Sequence, residues 1–185
     1  MSIAFRTVQP ATDAALIHDW VTQSRARFWG MLEKDLEEVE AIYTYIDEQP
    51  HLAAWLASVD ETPVGIVQTY DPFVDEIGEF YDRRSGDIGV HLVLADDPAR
   101  AGHTEGILTA AMRSLLSDPG VRRIVLEPDV ANVSSIELIT RLGAALGPVV
   151  EMPGKTAQFA FIDAEAVTGH KSALPAAPLR PVGAP

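Results

Sequence analysis

At 185 residues, with 47% hydrophobic and 22% charged side chains, the chain has the length and composition of one globular domain able to bury a core. A formal net charge of −13 opposes approach to phosphate backbones, which excludes nucleic acid as an expected partner and suits a cationic small molecule better. The absence of cysteine removes disulfides, thiolate metal sites and a cysteine nucleophile.

The opening Met-Ser-Ile-Ala-Phe-Arg has no basic stretch leading into an apolar one, so no signal peptide is expected. No apolar run approaches the roughly 20 residues of a membrane span. A cytoplasmic location without membrane contact is the expectation.

In chain order, Ile3 to Val8 suits a first strand, and Thr12 or Asp13 can cap a helix carrying Leu16, Trp20 and Val21. Leu36, Val39, Tyr43 and Ile46 recur at helical spacing and predict a second helix over Asp35 to Asp47, stopped by Gln49-Pro50. Two apolar runs, Leu52 to Val59 and Val64 to Tyr70, flank the turn residues Asp60-Glu61-Thr62-Pro63 and predict a hairpin. The acidic, aromatic stretch from Phe73 to Gly86 reads as an irregular excursion over the sheet. Asp87 to Leu94 is apolar on both faces, as in a strand covered on both sides. A helix over Thr104 to Leu116, a strand over Arg123 to Glu127 and a helix over Asn132 to Leu142 follow. Val149 to Met152 and Gln158 to Ile162 predict a last hairpin around Pro153-Gly154. The Ala- and Pro-rich residues 164–185 show no periodicity and are expected to form a disordered tail after a domain spanning 1–163.

The order β-α-α-β-β-β-α-β-α-β-β requires parallel pairing in the second half and antiparallel pairing elsewhere, an α+β arrangement of a mixed sheet with helices on both faces. Three segments then carry a resemblance: Gly86-Asp87-Ile88-Gly89-Val90-His91; Glu127-Pro128-Asp129-Val130-Ala131-Asn132; and Phe28-Trp29-Gly30 together with Trp20 and Tyr70-Asp71-Pro72. Together they resemble the GNAT-fold acyltransferases of siderophore biosynthesis, over roughly residues 3 to 162.

The resemblance implies an acyl-CoA N-acyltransferase acting on a hydroxylated lysine, ornithine or diamine side chain, with acetyl-CoA or another acyl-CoA as co-substrate. It implies His91 and Asp129 as the acid–base pair. Strand alternation independently sets His91 on the face of Gly89 and Val93, opposite Ile88, Val90, Leu92 and Leu94. Imidazole titrates near neutrality, and a carboxylate can orient it. Acyl-CoA is expected along the backbone of Leu92, Val93 and Leu94, where strands four and five splay apart in this family. Its pyrophosphate is expected at the helix start near Gly102, His103 and Thr104. That turn, Arg100-Ala101-Gly102-His103-Thr104-Glu105-Gly106, departs from the usual Gly-rich pattern and puts Glu105 near a phosphate site. Asn132 can contact the CoA arm, cap its helix, or both. Ile139 stands where many relatives have a thiolate-protonating tyrosine.

Trp29, Tyr70 and Tyr81, with Trp20, can line an acceptor pocket or pack the core, and Glu79, Asp82 and Asp87 can bind an ammonium or stay solvated. The five histidines lack the short spacings of zinc ligands, so no metal is expected. A monomer or homodimer is expected. Two other functions stay open: N-acylation of another small amine, such as an amino acid or antibiotic, and a non-catalytic acyl-CoA-binding module.

Overall fold

The computed structural model describes residues 2–164 and Leu179. Seven strands form one sheet in the order β1-β2-β3-β4-β5-β7-β6: β1 Ile3–Thr7, β2 Leu52–Val59, β3 Thr62–Tyr70, β4 Asp87–Leu94, β5 Arg123–Leu126, β6 Ala145–Met152 and β7 Lys155–Asp163. Only β4 and β5 pair in parallel; every other neighbour is antiparallel. Helices α1 (Pro10–Val21) and α2 (Leu36–Glu48) cover one face, and α3 (Thr104–Leu116) and α4 (Val133–Arg141) the other. No described helix is long and apolar enough to cross a membrane.

The two faces follow strand alternation. Ile88 and Val90 of β4 and Ile124 and Leu126 of β5 bury against Ile107, Leu108, Ala111 and Leu115 of α3 and Ile139 of α4. On the opposite face, Leu56, Ile66 and Val93 meet Ile17, Trp20 and Val21 of α1 and Val39 and Tyr43 of α2.

Several boundaries depart from expectation for local reasons. Helix α1 starts at Pro10, whose fixed φ suits a first helical position, rather than at a Thr12 or Asp13 cap. Asp13 is buried instead, gripped by Arg6 at 2.7 and 2.8 Å while accepting the Gln9 N–H at 2.7 Å. Asp60 and Glu61 both adopt positive φ and close a two-residue turn, so β3 begins at Thr62. The last hairpin is longer than predicted. Strand β6 begins at Ala145, and as an edge strand it absorbs Gly147-Pro148 in a register shift between Leu146 and Val149. Asp35 caps α2 as expected and completes a capping box with Glu38.

Residues 165–178 and 180–185 of the expected tail lie outside the described residues. Leu179 is buried against the α3 side of the core, and its N–H donates to Ser114 Oγ at 2.8 Å.

Candidate active site

Strands β4 and β5 hold together only at their beginnings: Asp87 faces Arg123, Ile88 faces Ile124 and Gly89 faces Val125. Beyond Gly89 the ladder stops. Pro128 has no N–H to donate, and the chain after Leu126 is drawn toward β7 instead. Gln158 N–H donates to Pro128 O at 2.9 Å, Asp129 bridges to Ala157, and Val130 N–H donates to Thr156 O at 2.9 Å. A notch therefore opens between β4 and the end of β5, and a cavity of about 680 Å³ occupies it. Leu108, Met112 and Ile139 line it on the α3/α4 face. Trp29, Gln68 and His91 line it on the other, with Glu127, Asp129 and Lys155 beside them.

At this notch His91 Nε2 hydrogen-bonds Glu127 Oε1. The Glu127 side chain is only 1% exposed and that of His91 is 35% exposed, so a buried carboxylate backs an imidazole that reaches the cavity. Tyr70 Oη donates to Glu127 Oε2 at 2.9 Å. Lys155 Nζ donates to the Glu127 carbonyl at 2.7 Å and to Oε1 at 3.3 Å. The Tyr70 ring can occupy its place because position 89 carries no side chain: a Cβ there would stand 1.9 Å from Tyr70 Cζ. The rings of Tyr70 and Trp29 flank His91, with centroids at 5.2 and 6.2 Å.

Burial alone would push the Glu127 carboxyl upward, but the charge and hydrogen bond of His91, the Lys155 ammonium and the Tyr70 hydroxyl bring it down to about 2. Burial pulls the His91 imidazole downward, and the Glu127 carboxylate outweighs it, leaving the ring above its ordinary 6.5. Burial first, and then the Glu127 charge, hold Tyr70 well above the usual phenol value, so it stays a neutral donor. Among the described residues His91 Nδ1 makes no protein hydrogen bond, which leaves that nitrogen for a substrate proton. An imidazole backed by a carboxylate at a gap between strands is an arrangement able to do acid–base chemistry.

Residues 9–152 match the acetyltransferase (GNAT) domain family. The chain is a GNAT acyltransferase. Among curated proteins it is 25% identical over 158 residues to an N-hydroxyputrescine acetyltransferase of Acinetobacter baumannii, covering 84% of this chain and 75% of that one. It is 25% identical to an N(6)-hydroxylysine O-acetyltransferase of Escherichia coli, covering 87% of this chain and 52% of the relative. It is 30% identical to the N(5)-hydroxyornithine:cis-anhydromevalonyl coenzyme A-N(5)-transacylase SIDF of Beauveria bassiana, covering 76% and 31%. The chain thus spans about half and about a third of the latter two. Its fold is shared by an uncharacterized Bacillus halodurans protein (TM-score 0.84, 21% identity, 90% of this chain and 86% of that one). The aminoglycoside acetyltransferase AAC(6')-Ib in complex with coenzyme A shares it too (TM-score 0.80, 22% identity, 92% and 100%).

Within this GNAT frame the predicted residues divide. Leu92, Val93, Leu94, Asn132, Trp29 and His91 all line the cavity, and so does Asp129. Asp129 is not the carboxylate on His91, however. Its Oδ1 accepts the Ala131 N–H at 2.7 Å in the turn after β5, and Glu127 takes the place expected for it. Tyr70 lies behind His91 rather than on the cavity wall, because Glu127 holds its hydroxyl. Tyr81 is also off the wall: it stacks on Phe159 and Phe161 and donates to Asp87 at 2.9 Å. Asp87 is committed to Arg123, Trp20 to the α1/α2 core, and exposed Glu79 and Asp82 do not border the cavity.

Gly102, His103 and Thr104 stand outside the cavity wall, at the start of α3. Gly102 takes φ +77 there, a conformation open to glycine. The first intrahelical bond runs from Ile107 N–H to His103 O at 2.9 Å, so the amides of Thr104, Glu105 and Gly106 precede the ladder, as a phosphate cradle requires. Arg100 lines the cavity next to it. Its Nη1 donates to Thr104 Oγ1 at 3.0 Å, and its Nε is buried without a partner among the described residues, a donor suited to a phosphate oxygen. Glu105, which sequence alone set against that site, is drawn to Arg141 at 3.2 Å. These groups fit acyl-CoA. Asn132 caps α4 through Ser135 N–H while bordering the cavity, so both of its expected roles are compatible. Ile139 presents hydrocarbon where a phenol would stand. Among the described residues no group of three or more His, Asp or Glu side chains is placed to hold a metal ion.

Sequence reading missed Glu127 and Lys155. A signal existed for the first: a carboxylate ends the fully apolar run Ile124-Val125-Leu126, a position that burial tolerates only with a partner.

Proposed function

We propose that this GNAT acyltransferase transfers an acyl group from acyl-CoA to the N-hydroxylated side-chain nitrogen of a lysine, ornithine or diamine acceptor, giving a hydroxamate of the kind that chelates iron in siderophores. The His91–Glu127 pair at the opening between β4 and β5 carries this reading, and the hydroxylated amines for which the three curated relatives are named support the choice of acceptor. Acyl-CoA supplies an activated acyl carbon with a sulfur leaving group. The acceptor nitrogen forms the new N–C bond as the C–S bond breaks. His91 takes the proton released from nitrogen, and Glu127 steadies the imidazolium that forms. An N-hydroxylated amine is far less basic than a plain one, so it reaches His91 already neutral. With hydrocarbon at Ile139, the same imidazolium can return the proton to the departing sulfur. Asp129, whose Oδ1 accepts the Ala131 N–H, borders the cavity as a carboxylate that can receive a positively charged part of the acceptor.

The test pairs His91→Ala with an acceptor panel. Calorimetry is expected to show acyl-CoA binding retained while CoA release falls by about 10²- to 10⁴-fold, the usual range for removing a general base. Unchanged turnover would remove His91 from the mechanism. Turnover of plain lysine matching that of the N-hydroxylated amino acid would move the acceptor to an ordinary amine.

A further inference from the structure

The cavity inverts the charge of the molecule. Acidic residues outnumber basic ones 27 to 14 over the chain, yet Arg25, Arg27, Arg100 and Lys155 border the cavity against Glu127 and Asp129 alone. Three of the four cations are engaged. Lys155 holds Glu127, Arg25 pairs with Asp96 at 2.9 Å, and Arg100 bonds Thr104 ahead of α3 on the phosphate side. Arg27 makes no ion pair among the described residues. Its guanidinium carbon lies 4.4 Å from the centroid of the Phe28 ring, a cation–π contact that leaves its N–H groups without an ionic partner.

The place of Arg27 in the fold says which ligand. It belongs to the 3₁₀ segment Ser24–Trp29 that joins α1 to α2, and Trp29 at the end of that segment stands edge-on to the His91 ring. The start of the segment reaches toward the phosphate side, where Arg25 and Arg100 share Asp96 at 2.9 and 4.0 Å, and its end reaches the His91 side through Trp29, so Arg27 stands between the two, next but one to Trp29. We propose that Arg27 binds the carboxylate of the acceptor, so that the preferred acceptor is an ω-N-hydroxy-α-amino acid rather than the decarboxylated N-hydroxydiamine. The assignment rests on the acyl-acceptor function proposed above. A planar guanidinium matches a carboxylate in a two-point bond, a contact that a diamine has no group to make.

The experiment measures kcat/KM for N6-hydroxylysine and for N-hydroxycadaverine, which differ only by the carboxylate, with one acyl-CoA, in the full chain and in Arg27→Gln. Wild type is expected to favour the amino acid by about 10- to 100-fold, the worth of one charge-assisted contact. Arg27→Gln is expected to bring the ratio toward parity by raising the KM of the amino acid, with the KM for acyl-CoA unmoved. Equal or better use of the diamine by wild type overturns the assignment and leaves the acyltransferase function standing. A rise in acyl-CoA KM in Arg27→Gln overturns it too, because the arginine would then serve a CoA phosphate. If wild type acylates neither compound, the hydroxylated-acceptor function itself falls, and this assignment with it.

Discussion

The two ends of the β4–β5 seam carry two ionic pairs of the same sequence separation, 36 residues, on the same face of the sheet. Where the strands still pair, Asp87 and Arg123 are joined twice at 2.7 Å, with side chains 0% and 7% exposed, and Tyr81 and the Arg84 N–H complete the shell. Where the strands have parted, His91 and Glu127 meet at a cavity, and one member remains accessible. The first pair is sealed and saturated, so it can only hold the seam closed. The second keeps a ring nitrogen for a ligand. The same kind of contact is structural or chemical according to whether the ladder continues through it.

The comparison breaks most visibly at His91. In His91→Ala the loss of about 10²- to 10⁴-fold in turnover is expected to come with a smaller loss of stability than in Asp87→Ala, since Lys155 and Tyr70 still hold the buried Glu127 carboxylate. Asp87→Ala should do the reverse. Leaving Arg123 buried without its counter-ion is expected to cost about 3–5 kcal/mol by urea unfolding, with the specific activity of the folded fraction largely kept. A loss of activity without loss of stability in that variant would dissolve the distinction between the two ends.

Glu127→Gln sharpens it. Wild-type kcat/KM is expected to rise with pH through a value above 6.5, because His91 must be neutral to act and Glu127 lifts its pKa. Without that carboxylate, burial and the Lys155 ammonium pull the ring downward against only the smaller effect of Asp75, so the acid limb should move to lower pH while turnover drops about tenfold or more. Stability carries a matching sign. Glu127 is depressed from 4.5 to about 2, so its contribution is full above 4.5 and disappears as pH falls toward 2. The variant should lack that part of the acid slope in thermal melts. The smallest effect belongs to Tyr70→Phe, which removes one hydrogen bond worth about 1 kcal/mol. It also frees Glu127 to act more strongly on His91, so its acid limb should move slightly upward, opposite to Glu127→Gln.

The order of strands and helices was legible because each element has its own period and stop signals, as Asp35 at the head of α2 and Asp118-Pro119-Gly120 after α3 illustrate. His91 was legible through its motif and its parity in β4. Its partner was not. Glu127 rather than Asp129 follows from the route of the chain beyond Leu126, which β7 determines from 28 positions downstream through Lys155 and Gln158. Tyr70 looked like a wall of the pocket because the space it fills belongs to Gly89, and those two positions meet only once β3 and β4 are in register. The cationic lining of the cavity was hidden for a related reason: a net charge averages over the surface and says nothing about which few residues converge at one notch.

The missing side chain at position 89 makes that residue a point of unusual vulnerability. Even alanine there would collide with an aromatic ring that supports the buried carboxylate, and the damage would travel to an imidazole it never touches. A survey of viable sequence variants should therefore find this strand tolerant in its aliphatic positions and closed to change at its one hydrogen-only position, with function failing there before folding does.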